Sequence, residues 1–203
     1  KDAPAEGTPA QRTIWETVKH HFAVSACILQ KDARIGKIIG FYSVVFAAHT
    51  LLFFYSQQYF ADFGYNKVQI SVIMLLVGGA SCFGALASEK MYRRFGKRCL
   101  IPETVIIAAA ILCYGSGKAG VAAAALMCAG FANAALYPVQ SDSLNALIPS
   151  EQRATLISVD SMCFSIAMIV LFPLAGAFAD RWGLKTVLLL LGAILLLFLL
   201  AAF

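Results

Sequence analysis

From Ile38 to the carboxyl end the sequence runs apolar and breaks only at short polar connections, giving the stretches Ile38 to Phe60, Val68 to Ala87, Cys99 to Gly115, Ala119 to Val139, Thr155 to Ala179 and Thr186 to Phe203. Each is about as long as a helix must be to cross a hydrocarbon layer of roughly 30 Å. Strands of a membrane barrel would alternate apolar and polar residues over about ten positions. The run VLLLLGAILLLFLLAAF at 187–203 shows no alternation. The pattern therefore predicts an all-α membrane protein with six transmembrane helices, joined by connections too short to form a soluble domain.

The first 35 residues follow different rules. KDAPAEGTPA has linker composition, which favours a flexible chain. From about Thr8 onward Ile14, Trp15, Val18 and Phe22 recur at helical spacing against Arg12, Glu16, Lys19 and His20, the signature of an amphipathic surface helix. The expected division is thus a linker and surface helix over 1–35 and a membrane bundle over 36–203. His20 and His21 lie on or beside the polar side with no third ligand nearby, so no metal site is expected there. The chain opens on Lys1, and we expect it to be a piece of something longer.

Composition agrees, with 60% hydrophobic and 13% charged residues, against roughly a quarter charged in soluble domains. The net charge of +5 does not form a stripe suited to nucleic acid, because the basic residues fall between spans. Their placement speaks to topology instead. Twelve of the sixteen Lys and Arg residues precede the first span or occupy the second and fourth connections, including Lys90, Arg93, Arg94, Lys97, Arg98 and Arg153. Lys67, Lys118, Arg181 and Lys185 hold the other side. The bias predicts both ends of the chain on the cytoplasmic side. The six cysteines lie in or beside spans without metal-ligand spacing and read as small packing residues.

Polar residues inside apolar spans are costly and tend to face a cavity or another helix. In the first span His49, Phe53 and Gln57 follow at four-residue spacing, with Tyr55 and Gln58 nearby. A mid-span imidazole near neutral pH is a candidate proton carrier, and an interhelical hydrogen bond is its structural alternative. In the fourth span Asn133, Tyr137 and Gln140 form one polar face, and in the fifth Ser158, Ser161 and Ser165 share a face beside Asp160. Each stripe reads either as a cavity lining or as packed contact. Asp160 is expected to pair with Arg153, two turns earlier, as a structural or gating contact. Glu103, after Pro102, sits where the helix dipole favours a carboxylate. Ala80, Gly84 and Ser88 recur every fourth residue, which permits close helix approach.

Two connections share a pattern. Glu89-Lys90-Met91-Tyr92-Arg93-Arg94-Phe95-Gly96-Lys97-Arg98 and Gly176-Ala177-Phe178-Ala179-Asp180-Arg181-Trp182-Gly183-Leu184-Lys185 both resemble the loop signature of the major facilitator superfamily: glycine, any, leucine, alanine, aspartate, arginine, any, glycine, arginine or lysine. The second copy is good. In the first, Glu89 stands for the leading glycine and Arg93 for the aspartate, while Arg94 and Gly96 remain. The stretch Ser141 to Thr155 resembles the junction between the fourth and fifth spans of a carboxyl-terminal facilitator half, and Phe172-Pro173-Leu174-Ala175-Gly176-Ala177 is partly similar to a drug-antiporter signature.

The resemblance implies two inverted three-helix repeats equivalent to helices 7 to 12 of a twelve-helix transporter, with the surface helix ending the central cytoplasmic loop. It also implies a partnering amino-terminal half, which offers a second partner for Asp160, and a plasma-membrane location. The function expected is alternating-access transport of small molecules, by proton-coupled efflux of amphipathic or drug-like compounds. The alternatives are uptake or exchange of a polar metabolite such as a sugar, organic acid or peptide, and a non-transporting scaffold. Enzymatic readings fail: His49 has no aspartate at helical spacing, no serine sits in a glycine-flanked elbow, and GSGKAG at 115–120 lacks the spacing and strand context of a phosphate loop. No cofactor is called for.

Overall fold

The structure, a computed structural model, describes residues 33–147 and 153–202. Of the expected linker and surface helix over 1–35, residues 1–32 lie outside the described ones, as does Cys27, while 33–35 open the first helix. Six α-helices follow in order: α1 (Ala33–Asp62), α2 (Lys67–Phe95), α3 (Leu100–Cys113), α4 (Ala119–Asn145), α5 (Arg153–Trp182) and α6 (Leu184–Ala202). No strand occurs among the described residues.

Five of the six are long and apolar enough to span a membrane. The four longest run 27 to 30 residues, roughly 40 to 45 Å at about 1.5 Å per residue. They exceed a hydrocarbon layer and must tilt or project beyond it. The exception is α3, whose α-helical part is only 14 residues long. It is continued at both ends by 3₁₀ turns, Gly96–Cys99 and Tyr114–Ser116. With their steeper rise of about 2 Å per residue the composite reaches about 35 Å, enough to cross.

The turns are built by local chemistry. Asn66 and Gln69 cap the start of α2 reciprocally, each side chain accepting from the other's backbone N–H at 2.9 Å. That arrangement satisfies two donors that would otherwise be orphaned at the helix start. Gly96 and Gly183, the last glycines of the two loop motifs, both have positive φ, 57° and 80°. L-residues avoid that region, so glycine is what lets each chain segment reverse. Glu89 and Arg93, the two departures in the first motif, form an exposed ion pair with each other at 2.6 Å.

Packing respects an inverted repeat of α1–α3 and α4–α6. The α2–α4 contact has its counterpart in α5–α1, and the α3–α4 contact in α6–α1, while α1–α4 and α3–α6 lie across the pseudo-axis. α1 and α4 form the buried centre, whereas α2 and α5 are largely uncovered. Their outward faces are apolar, with Leu75, Phe83 and Leu86 on α2 and Ile157, Ile169 and Val170 on α5. An all-round apolar helix with so little protein cover suits a lipid or helix partner rather than water.

α2 and α4 cross at close range. A Cβ on Gly84 would collide with the carbonyl oxygen of Phe131, and Ser88 Oγ donates to the Ala135 carbonyl at 2.8 Å. The expected Ala80, Gly84, Ser88 stripe therefore lies at a backbone contact. At one end of the bundle, Tyr114, the first residue of the 3₁₀ extension of α3, is fully buried against α1. Its hydroxyl pairs with Ser56 Oγ at 2.6 Å, while Tyr59 donates to its carbonyl at 2.9 Å. Buried hydroxyls so partnered avoid the desolvation penalty that an isolated one would carry.

Candidate functional site

α1, α4 and α5 meet around a cleft of about 320 Å³ lined by Ser43, Phe46 and Thr50, by Asn133 and Tyr137, and by Asp160, Ser161, Phe164 and Ser165. Ser43, Phe46 and Thr50, Asn133 and Tyr137, and on α5 the two neighbouring rows Asp160–Phe164 and Ser161–Ser165, recur at three- or four-residue steps, which puts each set on one face. They come from the middle of α1 and α4 and the first half of α5. The volume lies at the lower end of the range for small-molecule sites. A recess of about 90 Å³ adjoins it, lined by Gln140, Ser141, Leu144, Asn145, Leu156 and Ile157, and sharing Tyr137, Asp160 and Ser161 with the cleft.

Asp160 stands at the boundary between the two. Its carboxylate is held by Gln140, whose Nε2 donates to both oxygens at 3.2 Å. Gln140 itself is 1% exposed, so this tether joins α4 to α5 inside the bundle. Arg153, expected as the partner of Asp160, is exposed and makes no ion pair with it. The reason is geometric: seven residues span about 10 Å along a helix, while Gln140 faces Asp160 directly from the neighbouring helix.

Two further polar atoms in the cleft are buried without a partner, Ser43 Oγ and Asn133 Oδ1. The hydroxyls of Thr50 and Ser165 donate back to their own helices, to the carbonyls of Phe46 at 2.7 Å and Ser161 at 2.8 Å. They present only lone pairs to the cleft. Phe46 and Tyr137 form an aromatic wall, their centroids 5.8 Å apart and tilted by 49°.

Of the residues singled out in the sequence, the structure brings together Asn133, Tyr137, Gln140 and Asp160, with Ser161 and Ser165. His49 does not line this cleft, although its neighbour Thr50 does, and its Nε2 is buried without a hydrogen-bond partner. Gln57 and Gln58 are exposed near the end of α1, with Gln58 bonded to Asp62 at 2.7 Å. Tyr55 turns to α5: its hydroxyl donates to the Phe172 carbonyl at 3.1 Å and its ring stacks on Phe172 at 5.3 Å. A Cβ on Gly176 would lie 3.2 Å from that hydroxyl. The leading glycine of the second motif thus makes room for Tyr55, while Asp180 and Arg181 are exposed.

Sequence reasoning passed over Ser43, Phe46, Thr50 and Phe164. The three-then-four spacing of Ser43, Phe46 and Thr50 was the signal available, and the titratable His49 drew attention from it. Glu103 was also underrated: it is 2% exposed, with neither carboxylate oxygen partnered. Among the described residues no group of His, Cys, Asp and Glu is placed to hold a metal ion, and the described cysteines are free thiols.

The family model described as Major Facilitator Superfamily matches residues 104–203, from the first turns of α3 through α6. Comparison with curated proteins and with solved structures gave no match. The matched segment holds the whole second repeat, with Asn133, Gln140 and Asp160 and the better copy of the loop motif. Six apolar helices in two inverted threes and that family match agree: over residues 104–203 the chain belongs to the major facilitator superfamily.

Proposed function

We propose that this bundle is one half of a secondary active transporter, and that the cleft between α1, α4 and α5 is its share of a central substrate site. The observation that carries the reading is the placement of polar and aromatic side chains around one opening, from the middle of α1 and α4 and the first half of α5. Polar groups at that depth are costly unless they serve a pathway or a partner. A second six-helix half would close the site, and rocking of the two halves would expose it to each side in turn.

The cargo of this reading is an amphipathic small molecule exported against a proton gradient at the plasma membrane. Phe46, Tyr137 and Phe164 support it by offering apolar contact. The polar share of the lining, including Ser43, Thr50, Asn133 and Asp160, favours a second reading, movement of a polar metabolite. His49, whose buried Nε2 lacks a partner one residue from the cleft, is the proton-coupling candidate in either case.

Flux in proteoliposomes of the complete transporter, both halves together, under an imposed pH gradient tests the proposal. Gradient-driven movement of amphipathic dyes supports the exporter, and movement of sugars or amino acids alone supports the second reading. Absence of any gradient-driven flux would count against a transporter.

A further inference from the structure

We infer that the cleft recognises a protonated amine, with Asp160 as its counter-charge; the inference rests on reading the cleft as the substrate site and names the substrate class. Three observations converge. The first is charge. Asp160 is the sole ionisable acid of the cleft and recess, and no lysine, arginine or histidine lines either. The described ion pair, Arg93 with Glu89, lies elsewhere. A carboxylate in a partly desolvated site with no cation beside it attracts positive charge and repels anionic cargo.

The second observation is hydrogen-bonding capacity. An ionised carboxylate offers about four acceptor sites, and Gln140 approaches both oxygens with a single nitrogen at 3.2 Å. Asn133 Oδ1 adds an unpartnered acceptor and Ser43 Oγ an unpartnered hydroxyl that can accept or donate, and the hydroxyls of Thr50 and Ser165 spend their protons on helix carbonyls. The cleft is therefore rich in acceptors and calls for a ligand that carries several donors. An ammonium group carries three and has no lone pair to offer in return.

The third is the wall. Phe46, Tyr137 and Phe164 line the same opening as Asp160, and aromatic faces attract cations as well as apolar groups. A primary amine on an apolar or aromatic body matches both parts of the lining. Neutral sugars would leave the charge of Asp160 uncompensated, and organic acids would oppose it.

The test separates binding from transport. Equilibrium binding of 2-phenylethylamine, 2-phenylethanol and phenylacetate to the complete transporter in lipid nanodiscs compares one skeleton in three charge states. We expect the amine to bind at least about tenfold tighter than the alcohol, the scale of one charge-assisted hydrogen bond, and phenylacetate to bind weakest. Asp160→Asn should bring amine and alcohol together, and Asp160→Glu should restore the preference. Equal binding of amine and alcohol by the unmodified protein overturns the inference, even if the Asn variant folds poorly. So does a preference that survives in a well-folded Asp160→Asn protein. Gradient-driven flux of neutral or anionic solutes alongside such a result leaves the transporter reading standing and removes only the amine.

Discussion

The side-chain nitrogen of Gln140 lies 3.2 Å from both carboxylate oxygens of Asp160, so one amide on α4 tethers a charge on α5. Replacing Gln140 by leucine leaves that charge without its donor in a partly buried place. We expect Gln140→Leu to lower stability by about 1.5 to 3 kcal/mol, the range for hydrogen bonds to charged groups. The double variant Gln140→Leu, Asp160→Leu should be more stable than the single one, because two apolar partners remove the desolvation cost together. Thermal unfolding in detergent reads both, and a double variant no more stable than the single would contradict the account.

Tyr55 and Gly176 form a second coupled pair. Tyr55→Phe loses the bond to the Phe172 carbonyl but keeps the stacked ring, at an expected cost of about 0.5 to 1.5 kcal/mol. Gly176→Ala pushes a methyl toward the Tyr55 hydroxyl, which stands 3.2 Å from the position it would take. Because the same atom is at stake in both, the combined variant should cost less than the sum of the two. Strict additivity in a double-mutant cycle would show that they do not meet.

Helix approach is testable at Gly84. Its Cβ would meet backbone, the carbonyl of Phe131, and backbone yields less readily than a side-chain tip. We expect Gly84→Ala to destabilise by about 1 to 3 kcal/mol, as overpacking does. Gly79 has open space around its Cβ position, and Gly79→Ala should be neutral or gain up to about 1 kcal/mol of helix propensity. Equal effects at the two sites would mean that α2 and α4 do not cross at Gly84.

Much of this architecture was legible in the residue pattern, because lipid forces every backbone polar group into helical bonds and leaves long apolar runs as a readable trace. The Gly84 and Ser88 stripe and the positive-φ glycines of the two motifs were readable for the same reason: each answers a local steric demand. The site was only half legible. Asn133, Tyr137 and Gln140 announced themselves as a polar stripe, whereas Ser43 and Thr50 are small, unremarkable residues whose role depends on which helices stand opposite. Asp160 was paired with Arg153 because sequence shows neighbours along a helix, not across one. Glu103 looked like an ordinary first-turn carboxylate, and only the fold reveals that its end of α3 is covered.

His49 carries the pH prediction. Its Nε2 is buried without a partner beside the cleft residue Thr50, and glutamine retains polarity and size while losing the ability to gain a charge. On the proposed transporter reading, His49→Gln should flatten the pH dependence of flux while preserving folded yield. A profile unchanged from that of the unmodified protein would take His49 out of the coupling mechanism.

Glu103 is the sharpest stability test. The side chain is 2% exposed and both oxygens lack a hydrogen bond, so the folded protein shelters a polar group that gains nothing from its surroundings beyond the favourable end of the α3 dipole. Burying a polar side chain without a hydrogen bond costs about 1 to 3 kcal/mol, and methionine, of similar size, removes the unpartnered group altogether. Glu103→Met should therefore raise the unfolding temperature, by an amount corresponding to that range. A fall in stability on that scale would mean that the carboxylate is engaged by a partner, and would turn Glu103 from a cost of the fold into a contact.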